Sequence, residues 1–387
     1  MATRVLQDHV RPYVSSEITA ALRHVDYVLL ATAAALVAYG LWILKSVTRD
    51  DVPGDPSYFV TRQGINVAIG VIAFAAVVAV RPEFWRRSRR PIYGLLIFLL
   101  LLVFVADAVR GSQRWIEIGF FRFQPSELGK IMVALCLGGF IADHHRDIGR
   151  LRTVLKAVAL VCVPAFLVFI EPDFGTALMY LAILGAGLFV AGATWSHMAA
   201  LLGTASVAAA SLLWVLPGAG IDILKPYQVQ RLTGFLNPDL DPSGTTYNIT
   251  QSITAVGSGG LDGRGVEGAT QTKLDYLPEH ATDFVFASLA EQRGFIGASA
   301  LLLLYLLLLW RGIRIVSVAR DPFSAIVAGG IVFAFLAQIF VNVGMTMGIA
   351  PVTGIPLPFV SVGGSSLITN LAAIGLLLAI NARARRR

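Results

Sequence analysis

Charged residues are scarce in this chain of 387 residues: Asp, Glu, Lys and Arg make up 14% of it, against roughly a quarter in an ordinary soluble domain. Apolar residues make up 56%, and the mean hydropathy is +0.71. Apolar runs of about 18 or more residues, the length needed to cross a bilayer, recur along the whole chain. The composition therefore excludes a soluble globular protein and predicts an all-α polytopic integral membrane protein.

Cysteine is almost absent as well. Cys136 and Cys162 both lie in apolar runs, where a thiol behaves as a small buried hydrophobic group. Redox chemistry and structural zinc are therefore not expected. The basic clusters Arg86–Arg90 and Arg383–Arg387 contain no interleaved aromatic residues and adjoin apolar runs, which favours contact with anionic membrane lipids over binding of nucleic acid.

Ten apolar windows predict ten transmembrane helices in one membrane domain, 26–382, between an N-terminal segment, 1–25, and a basic tail, 383–387. The first window follows a polar stretch without a signal-peptide cleavage pattern, so it is expected to be retained. Of the 31 Lys and Arg residues, nineteen fall on the side that holds both termini and ten on the other, which predicts cytoplasmic termini. The windows are 27–44, 65–80, 91–108, 127–142, 154–170, 176–192, 196–216, 283–310, 324–344 and 366–382.

Residues 217–282 form a predicted extracytoplasmic loop between spans 7 and 8, much longer than an ordinary connection. The loop contains apolar and aromatic residues besides its turn and glycine motifs, such as Gly257–Gly260. We therefore expect short helices on the membrane surface.

Charged residues mark the start of span 4 and the turn between spans 5 and 6. A helix beginning at Pro125 would place Glu127 and Lys130 on one face, where they could form an ion pair inside the bundle. Such a pair is a functional candidate, although it could also only join helices. In the tight turn Glu171–Thr176, Asp173 could cap the next helix or contact a substrate.

Two further segments interrupt the pattern of plain membrane spans. In Leu277–Asp283, either Thr282 or Asp283 could cap span 8. The uncharged outer loop Ile349–Ser365, rich in Pro and Gly, is either a cavity wall or a rigid turn. Together the segments predict a polar cavity that opens outward and suits a substrate with a charged head and an apolar tail. Its charged residues are Arg114, Glu127, Lys130, Arg231, Glu279 and Asp283.

Five motifs, in this order along the chain, make it resemble the SEDS family (shape, elongation, division and sporulation) over nearly all of 26–382. The tract Asn237-Pro238, Asp241-Pro242-x-Gly244, Tyr247 and Gln251-Ser252 looks more like the RodA branch than the FtsW branch. The five motifs are Gln113-Arg114-Trp115 with Phe123-Gln124-Pro125-Ser126-Glu127-x-x-Lys130; Pro172-Asp173-x-Gly175-Thr176-Ala177; Gln251-Ser252-x-x-Ala255-x-Gly257-Ser258-Gly259-Gly260; Leu277-Pro278-Glu279-x-x-Thr282-Asp283-Phe284; and Thr353-Gly354-Ile355-Pro356-Leu357-Pro358-Phe359.

The resemblance implies a peptidoglycan glycosyltransferase of the bacterial cytoplasmic membrane, which polymerises lipid II on the extracytoplasmic side for cell elongation and releases undecaprenyl pyrophosphate. It also implies a class B penicillin-binding protein as transpeptidase partner. By position, Asp283 is the general base. A divalent cation, Mg²⁺ or Mn²⁺, is compatible with pyrophosphate chemistry, although the sequence has no metal motif. The expected substrate-binding residues are Arg114, Glu127, Lys130, Asp173, Arg231, Gln251, Ser252, Glu279 and Ser365, with Arg114, Lys130 and Arg231 stabilising the leaving group.

The chain departs from the family pattern at three positions. Ala281 stands where a His usually precedes Thr-Asp, with His280 one residue earlier; Val362 replaces a common Tyr; and Glu171 replaces a common Gln. Three alternative functions remain open at this point: a lipid II flippase, an FtsW-like division polymerase, and a scaffold that activates a partner enzyme. A flippase would need a lipid route to both leaflets, whereas only a polymerase needs Asp283 for glycosidic bond formation.

Overall fold

A computed structural model describes residues 26–105, 114–119, 121–221, 223–236 and 246–385. The predicted N-terminal segment 1–25, Gln113 of the first family motif, and the tract Asn237–Gly244 lie outside the described residues. Arg386 and Arg387 of the predicted basic tail lie outside them too.

The described residues fold into helices and one short antiparallel hairpin. Single 3₁₀ turns follow α5 and α9, at His145–Asp147 and Gly234–Leu236, and α8 contains a π-helical turn at Ser211–Val215. The elements are α1 (Tyr27–Val47), α2 (Tyr58–Ala79), α3 (Pro82–Arg87), α4 (Arg89–Val103), β1 (Ile116–Ile118), β2 (Phe121–Phe123), α5 (Pro125–Asp143), α6 (Leu151–Ile170), α7 (Phe174–Val190), α8 (Trp195–Gly218), α9 (Pro226–Thr233), α10 (Tyr247–Ser258), α11 (Gly265–Gly268), α12 (Thr270–Lys273), α13 (Val285–Val318), α14 (Pro322–Thr346) and α15 (Gly364–Arg385).

Each of the ten predicted spans coincides with a helix, so the expected all-α polytopic membrane fold is confirmed. Among the described residues, eight helices are long and apolar enough to cross a membrane, and α7 is a shorter apolar helix. The remaining predicted span corresponds to α4, of which 15 residues are described. The β1–β2 hairpin is the one element type that the sequence did not predict, because strands of three residues carry almost no periodic signal.

The helices pack around α14 and α15. Helix α15 lies along α2, while α14 contacts α5, α7 and α13, and α13 also packs against α1. Most side chains of α5, α14 and α15 are buried by neighbouring helices, whereas α8, described throughout, buries none. Glu127 and Lys130 of α5 and Gln338 and Asn342 of α14 are therefore inside the protein rather than facing lipid.

The predicted loop helices are present as α9 to α12, and the glycine-rich stretch after α10 breaks α13. Gly294 has φ 62° and ψ −163°, so the helical backbone is interrupted there. The backbone N–H of Phe295 donates to Gly260 O at 2.9 Å, and that of Ile296 donates to Leu261 O at 3.2 Å. The loop thus supplies acceptors to amides that the break deprives of helical partners.

Replacing Gly294 by Ala should destabilise the protein. A β-carbon at this left-handed backbone position would be strained and would also collide with the backbone N of Gly263. We expect a loss of roughly 1–3 kcal/mol, visible as a lower melting temperature in detergent. Gly257→Ala is the matched control, since it lies in helix α10 with open space around its Cβ position. Equal melting temperatures for the two variants would show that the break does not need glycine.

Candidate active site

Asp283 lies in a turn of residues 281–284 directly before α13. The residue that caps α13 is Phe284, without a side-chain hydrogen bond, so the alternative that Thr282 or Asp283 caps this helix is wrong. The Thr282 hydroxyl instead donates to the Glu279 carboxylate at 2.8 Å. None of the described residues donates a hydrogen bond to the carboxylate of Asp283, which is partly exposed. This carboxylate is consequently available to a ligand.

The backbone of the Asp283 turn is held in place by three successive carbonyl groups. Each accepts a hydrogen bond from a different group on α14 or on the loop between α14 and α15. Because both donor segments are packed in the bundle, the position of Asp283 is fixed from inside the protein. The bonds run from Val362 N to Ala281 O at 3.0 Å, from Ser361 Oγ to Thr282 O at 2.6 Å, and from Asn342 Nδ2 to Asp283 O at 2.9 Å.

The outer loop 351–363 is irregular, largely buried, and forms one wall of the site. Spanning helices satisfy its carbonyl groups: Gln338 Nε2 donates to Pro356 O at 2.7 Å, and Tyr305 Oη donates to Pro358 O at 2.5 Å. A β-carbon built on Gly354 would lie 3.4 Å from Asp283 Oδ2. Neighbouring helices hold the loop, as one of the two sequence interpretations proposed, and the interpretation as a cavity wall stays a prediction.

The pKa of Asp283 is raised to about 6, first by burial and second by the negative charge of Glu279. Asp173 raises the pKa further, while Arg231 and Arg114 oppose the shift. These five charged side chains therefore share one electrostatic environment, although they come from separate parts of the chain. Those parts are the turn before α13, the segment that leads into β1, α9 and the turn before α7. A carboxylate with such a pKa is still ionised at neutral pH but is more basic than an ordinary Asp.

Arg114 binds the turn between α6 and α7. Its Nε donates to Glu171 O at 3.1 Å, and Nη2 donates to Pro172 O. The Glu171 carboxyl group is buried, and neither of its oxygens has a hydrogen-bond partner among the described residues. Burial, assisted by the charge of Asp173 and opposed by Arg114, raises the pKa of Glu171 to about 8. Glu171 is therefore largely neutral at pH 7.

Asp173 caps α7, as one of the two sequence alternatives proposed. Its Oδ1 accepts from Thr176 N at 3.1 Å. Its Oδ2 accepts from Gln124 Nε2 at 2.9 Å and from Ser126 Oγ at 3.1 Å. Asp173 therefore connects the start of α5 to the start of α7, and substrate binding by this side chain stays a prediction.

Glu127 and Lys130 form the predicted ion pair inside the bundle, and α5 begins at Pro125 as expected. Lys130 Nζ lies 2.9 Å from Glu127 Oε2 and donates to Gln338 Oε1 at 3.1 Å. Both charged side chains are buried. The pair is linked through Gln338 to the Pro356 carbonyl. It therefore supports, from inside the bundle, the outer loop that faces Asp283.

The remaining predicted site residues lie around this centre. The Arg231 carbonyl accepts from Val352 N at 3.2 Å, which attaches α9 to the outer loop, while its side chain is exposed. Ser252 is buried and donates to Thr346 O at 2.8 Å, and Gln251 beside it is half-buried. Ser365 accepts from Gln124 N at 2.9 Å and donates to Arg122 O at 3.0 Å. Ser252 and Ser365 thus hold α10 and the hairpin against the bundle.

Sequence reasoning missed Asn342, Ser361 and Gln338, which position the turn and the outer loop. A signal was present for the two amides, because an amide side chain within an apolar span is costly unless it has a partner. The described residues contain no group of three or more His, Cys, Asp and Glu side chains able to hold a metal ion.

Comparison with known proteins identifies the relatives of this arrangement. The model of the FtsW, RodA and SpoVE family of cell cycle proteins matches residues 26–386. The Escherichia coli K12 peptidoglycan glycosyltransferase MrdB is 37% identical over 92% of this chain and 94% of its own length. The Bacillus subtilis stage V sporulation protein E is 37% identical over 93% of this chain and 98% of its own.

Further relatives include a probable peptidoglycan glycosyltransferase FtsW from Thioalkalivibrio sulfidiphilus, 38% identical over 93% of this chain and 90% of its own length. Among solved structures, a chain of a peptidoglycan synthase complex that coordinates polymerisation and crosslinking superposes with a TM-score of 0.80, at 28% identity over 94% of this chain and 99% of that one. The Thermus thermophilus rod shape determining protein RodA superposes with a TM-score of 0.68, at 26% identity over 94% of this chain and 98% of that one. The chain therefore belongs to the FtsW, RodA and SpoVE family of multi-pass membrane proteins.

Proposed function

We propose that this chain is a peptidoglycan glycosyltransferase that polymerises lipid II into glycan strands, with Asp283 as general base. The observation that supports this most is the Asp283 carboxylate itself. It is partly exposed, receives no hydrogen bond from the described residues, has a raised pKa, and is fixed through three backbone carbonyls. A base must have this combination of accessibility, basicity and fixed geometry.

The reaction is the one that the family resemblance implies, with Asp283 in the role of its base. The Asp283 carboxylate takes the proton of the 4-hydroxyl of the acceptor sugar, while the hydroxyl oxygen bonds to the anomeric carbon of the donor. The bond from that carbon to pyrophosphate breaks with inversion, and undecaprenyl pyrophosphate leaves with the electron pair. Protonated Asp283 then gives its proton to solvent. Arg114 and Arg231, the two cations that act on Asp283, stabilise the charge that develops on the pyrophosphate.

Lys130 and Glu127 have a different part in this proposal. The Lys130 ammonium contacts Glu127 and Gln338, and all of these groups are buried within the bundle. The pair therefore acts by supporting the outer loop and the start of α5. Glu279 of the long loop and Gln251 of α10 are the proposed contacts for the sugar and peptide parts of the substrate, while the buried Ser252 holds α10 against the bundle.

The membrane arrangement and the partner are part of the same proposal. The excess of Lys and Arg supports cytoplasmic termini, and with them an extracytoplasmic position for α9 to α12 and Asp283. A class B penicillin-binding protein is the proposed transpeptidase partner, supported by the similar chain that belongs to a peptidoglycan synthase complex. The tract Asn237–Ser252 supports a role in elongation rather than division.

Polymerisation should depend on pH on the acid side. Since the base acts when ionised and the pKa of Asp283 is raised to about 6, activity should increase as pH rises through 6, and this rise should be complete about one pH unit higher. Below pH 6 the rate should fall about tenfold per pH unit. The rate of strand formation from labelled lipid II, measured between pH 5 and about 7.5 by gel, tests this.

Glu279→Gln sharpens that test. Glu279 is the charged residue that raises the pKa of Asp283 most. Its neutralisation should therefore move the rise in activity to lower pH. Two results would contradict the assignment of this rise to Asp283. One is a rise in activity near pH 4 in the unaltered protein, and the other is a rise that stays at the same pH in Glu279→Gln.

A further inference from the structure

His280, which the family pattern does not place here, lies between two acidic residues at the outer side of the Asp283 turn. It is 7% exposed. Its Nε2 lies 3.1 Å from Asp51 Oδ1 and 3.2 Å from Asp51 Oδ2. Its Nδ1 lies 3.2 Å from Leu277 O and 3.4 Å from Asp275 Oδ1. Both ring nitrogens therefore face oxygen atoms that accept hydrogen bonds.

The protonation state follows from this geometry. A neutral imidazole carries one N–H donor and one nitrogen lone pair, so it can satisfy only one of the two sides. The lone pair of the other nitrogen would point at a carbonyl or carboxylate oxygen. An imidazolium donates from both nitrogens and also separates the charges of Asp51 and Asp275. The structure therefore fits the protonated form of His280.

The electrostatic surroundings agree with that assignment. Burial lowers the pKa of His280, but the hydrogen bond and charge of Asp51, the charge of Asp275 and the Leu277 carbonyl outweigh it, so the pKa is raised. Asp50 and Lys273 line a cavity of about 120 Å³ together with Asp51 and Asp275. Lys273 is paired with Glu267, which leaves the acidic side chains dominant around the ring.

His280 also connects the Asp283 turn to a separate part of the protein. Asp51 lies in the connection 48–57 between α1 and α2, while the His280 carbonyl accepts from Ser288 Oγ at 3.1 Å on α13. The three following carbonyls, of residues 281–283, are held from the inner side. His280 thus supplies the outer attachment of a turn whose inner attachments are Asn342, Ser361 and Val362.

We propose that His280 is a positioning residue: as an imidazolium it ties the Asp283 turn to Asp51, and glycan polymerisation slows when the ring loses its proton. This inference rests on the proposed function for its catalytic readout only. A group whose pKa is raised by folding contributes its stabilisation below the unfolded pKa and loses it as pH rises through the folded pKa. The turn is therefore held most firmly below the raised pKa of His280 and less firmly above it.

Two readouts test the proposal. The first is the titration of His280 in ¹⁵N-histidine-labelled protein in nanodiscs, assigned by difference with His280→Gln. The second is the rate of polymerisation across the same pH range. All proteins carry Glu171→Gln, because the carboxyl group of Glu171 ionises at about 8 and would add its own change. His145→Gln, at an exposed histidine far along the chain, is the matched control.

We expect the His280 midpoint above its ordinary value of about 6.5 and a decrease in kcat, with little change in KM, at that midpoint. Asp51→Asn should lower the midpoint and move the decrease in kcat by the same amount. His280→Gln keeps a donor group that does not titrate, so it should remove the decrease and leave, above the rise that belongs to Asp283, a plateau about tenfold lower. Asp275→Asn should shift the midpoint less than Asp51→Asn does.

The results that would overturn the proposal are equally distinct. A His280 midpoint at or below the ordinary value, or a midpoint that neither Asp51→Asn nor Asp275→Asn lowers, contradicts the imidazolium. A decrease in kcat that stays in place in His280→Gln contradicts the positioning role. If the protein makes no glycan at all, the proposed function fails, but the titration still decides whether His280 is held as an imidazolium.

Discussion

Replacing Asp283 by Asn should reduce glycan polymerisation by about 10²–10⁴-fold while leaving the protein folded. Asn has nearly the same shape as Asp but cannot take a proton from the acceptor hydroxyl. The backbone of the turn should keep its position, because its carbonyl contacts with Asn342, Ser361 and Val362 do not involve the Asp283 side chain. The loss should therefore appear in kcat more than in KM.

The stability of the same variant provides an independent check. Because the pKa of Asp283 is raised in the folded protein, ionising this group costs folding free energy above pH 6. Asp283→Asn removes that cost, so its melting temperature at pH 7.5 should equal or exceed that of the unaltered protein. Asp262→Asn, at an exposed carboxylate of the same loop, should change neither activity nor stability. Asp283 is not the base if the Asp283→Asn protein melts normally and polymerises at the normal rate.

Replacing Glu127 by Ala should be among the most destabilising single changes in this protein. The variant leaves the Lys130 ammonium buried in the bundle with Gln338 as its remaining partner. Breaking a buried ion pair by removing one member typically costs about 3–5 kcal/mol, because the other charge remains without compensation. The melting temperature in detergent should fall accordingly, and polymerisation should fall with it, since the pair supports the outer loop through Gln338 and Pro356.

The double variant Glu127→Gln with Lys130→Met separates charge from packing. It removes both charges and keeps most of the side-chain volume, so it should regain most of the stability that Glu127→Ala loses. Arg122→Ala, which breaks an exposed ion pair with Glu117, is the control for a surface pair and should change the melting temperature little. If the double variant is as unstable as Glu127→Ala, the buried charge is not what destabilises the protein.

The membrane fold was readable from the sequence because each span is a run of apolar residues that forms its own backbone hydrogen bonds. The Glu127–Lys130 pair was readable too, since it depends only on a helix that starts at Pro125 and on a separation of three residues. Asp173 as a cap depends likewise on neighbours three residues apart. Local geometry was enough for all of these.

The hydrogen bonds that hold the backbone of the Asp283 turn could not be predicted from the sequence in the same way. Asn342 is 59 residues from Asp283 along the chain, and Ser361 is 79 residues from Thr282. Nothing periodic in the sequence links such positions, and they meet only because α13, α14 and the outer loop pack together. The cap of α13 was misassigned for a related reason, since Phe284 takes that position when the preceding turn is held from elsewhere.

The most direct test of the proposed chemistry is glycan-strand synthesis from labelled lipid II by the purified protein, with and without a class B penicillin-binding protein. We expect a ladder of glycan products and one undecaprenyl pyrophosphate for each bond formed, from the unaltered protein but not from folded Asp283→Asn. No glycan from the unaltered protein in either condition, beside an active control polymerase and together with movement of lipid II between leaflets, would contradict it and identify a lipid transporter.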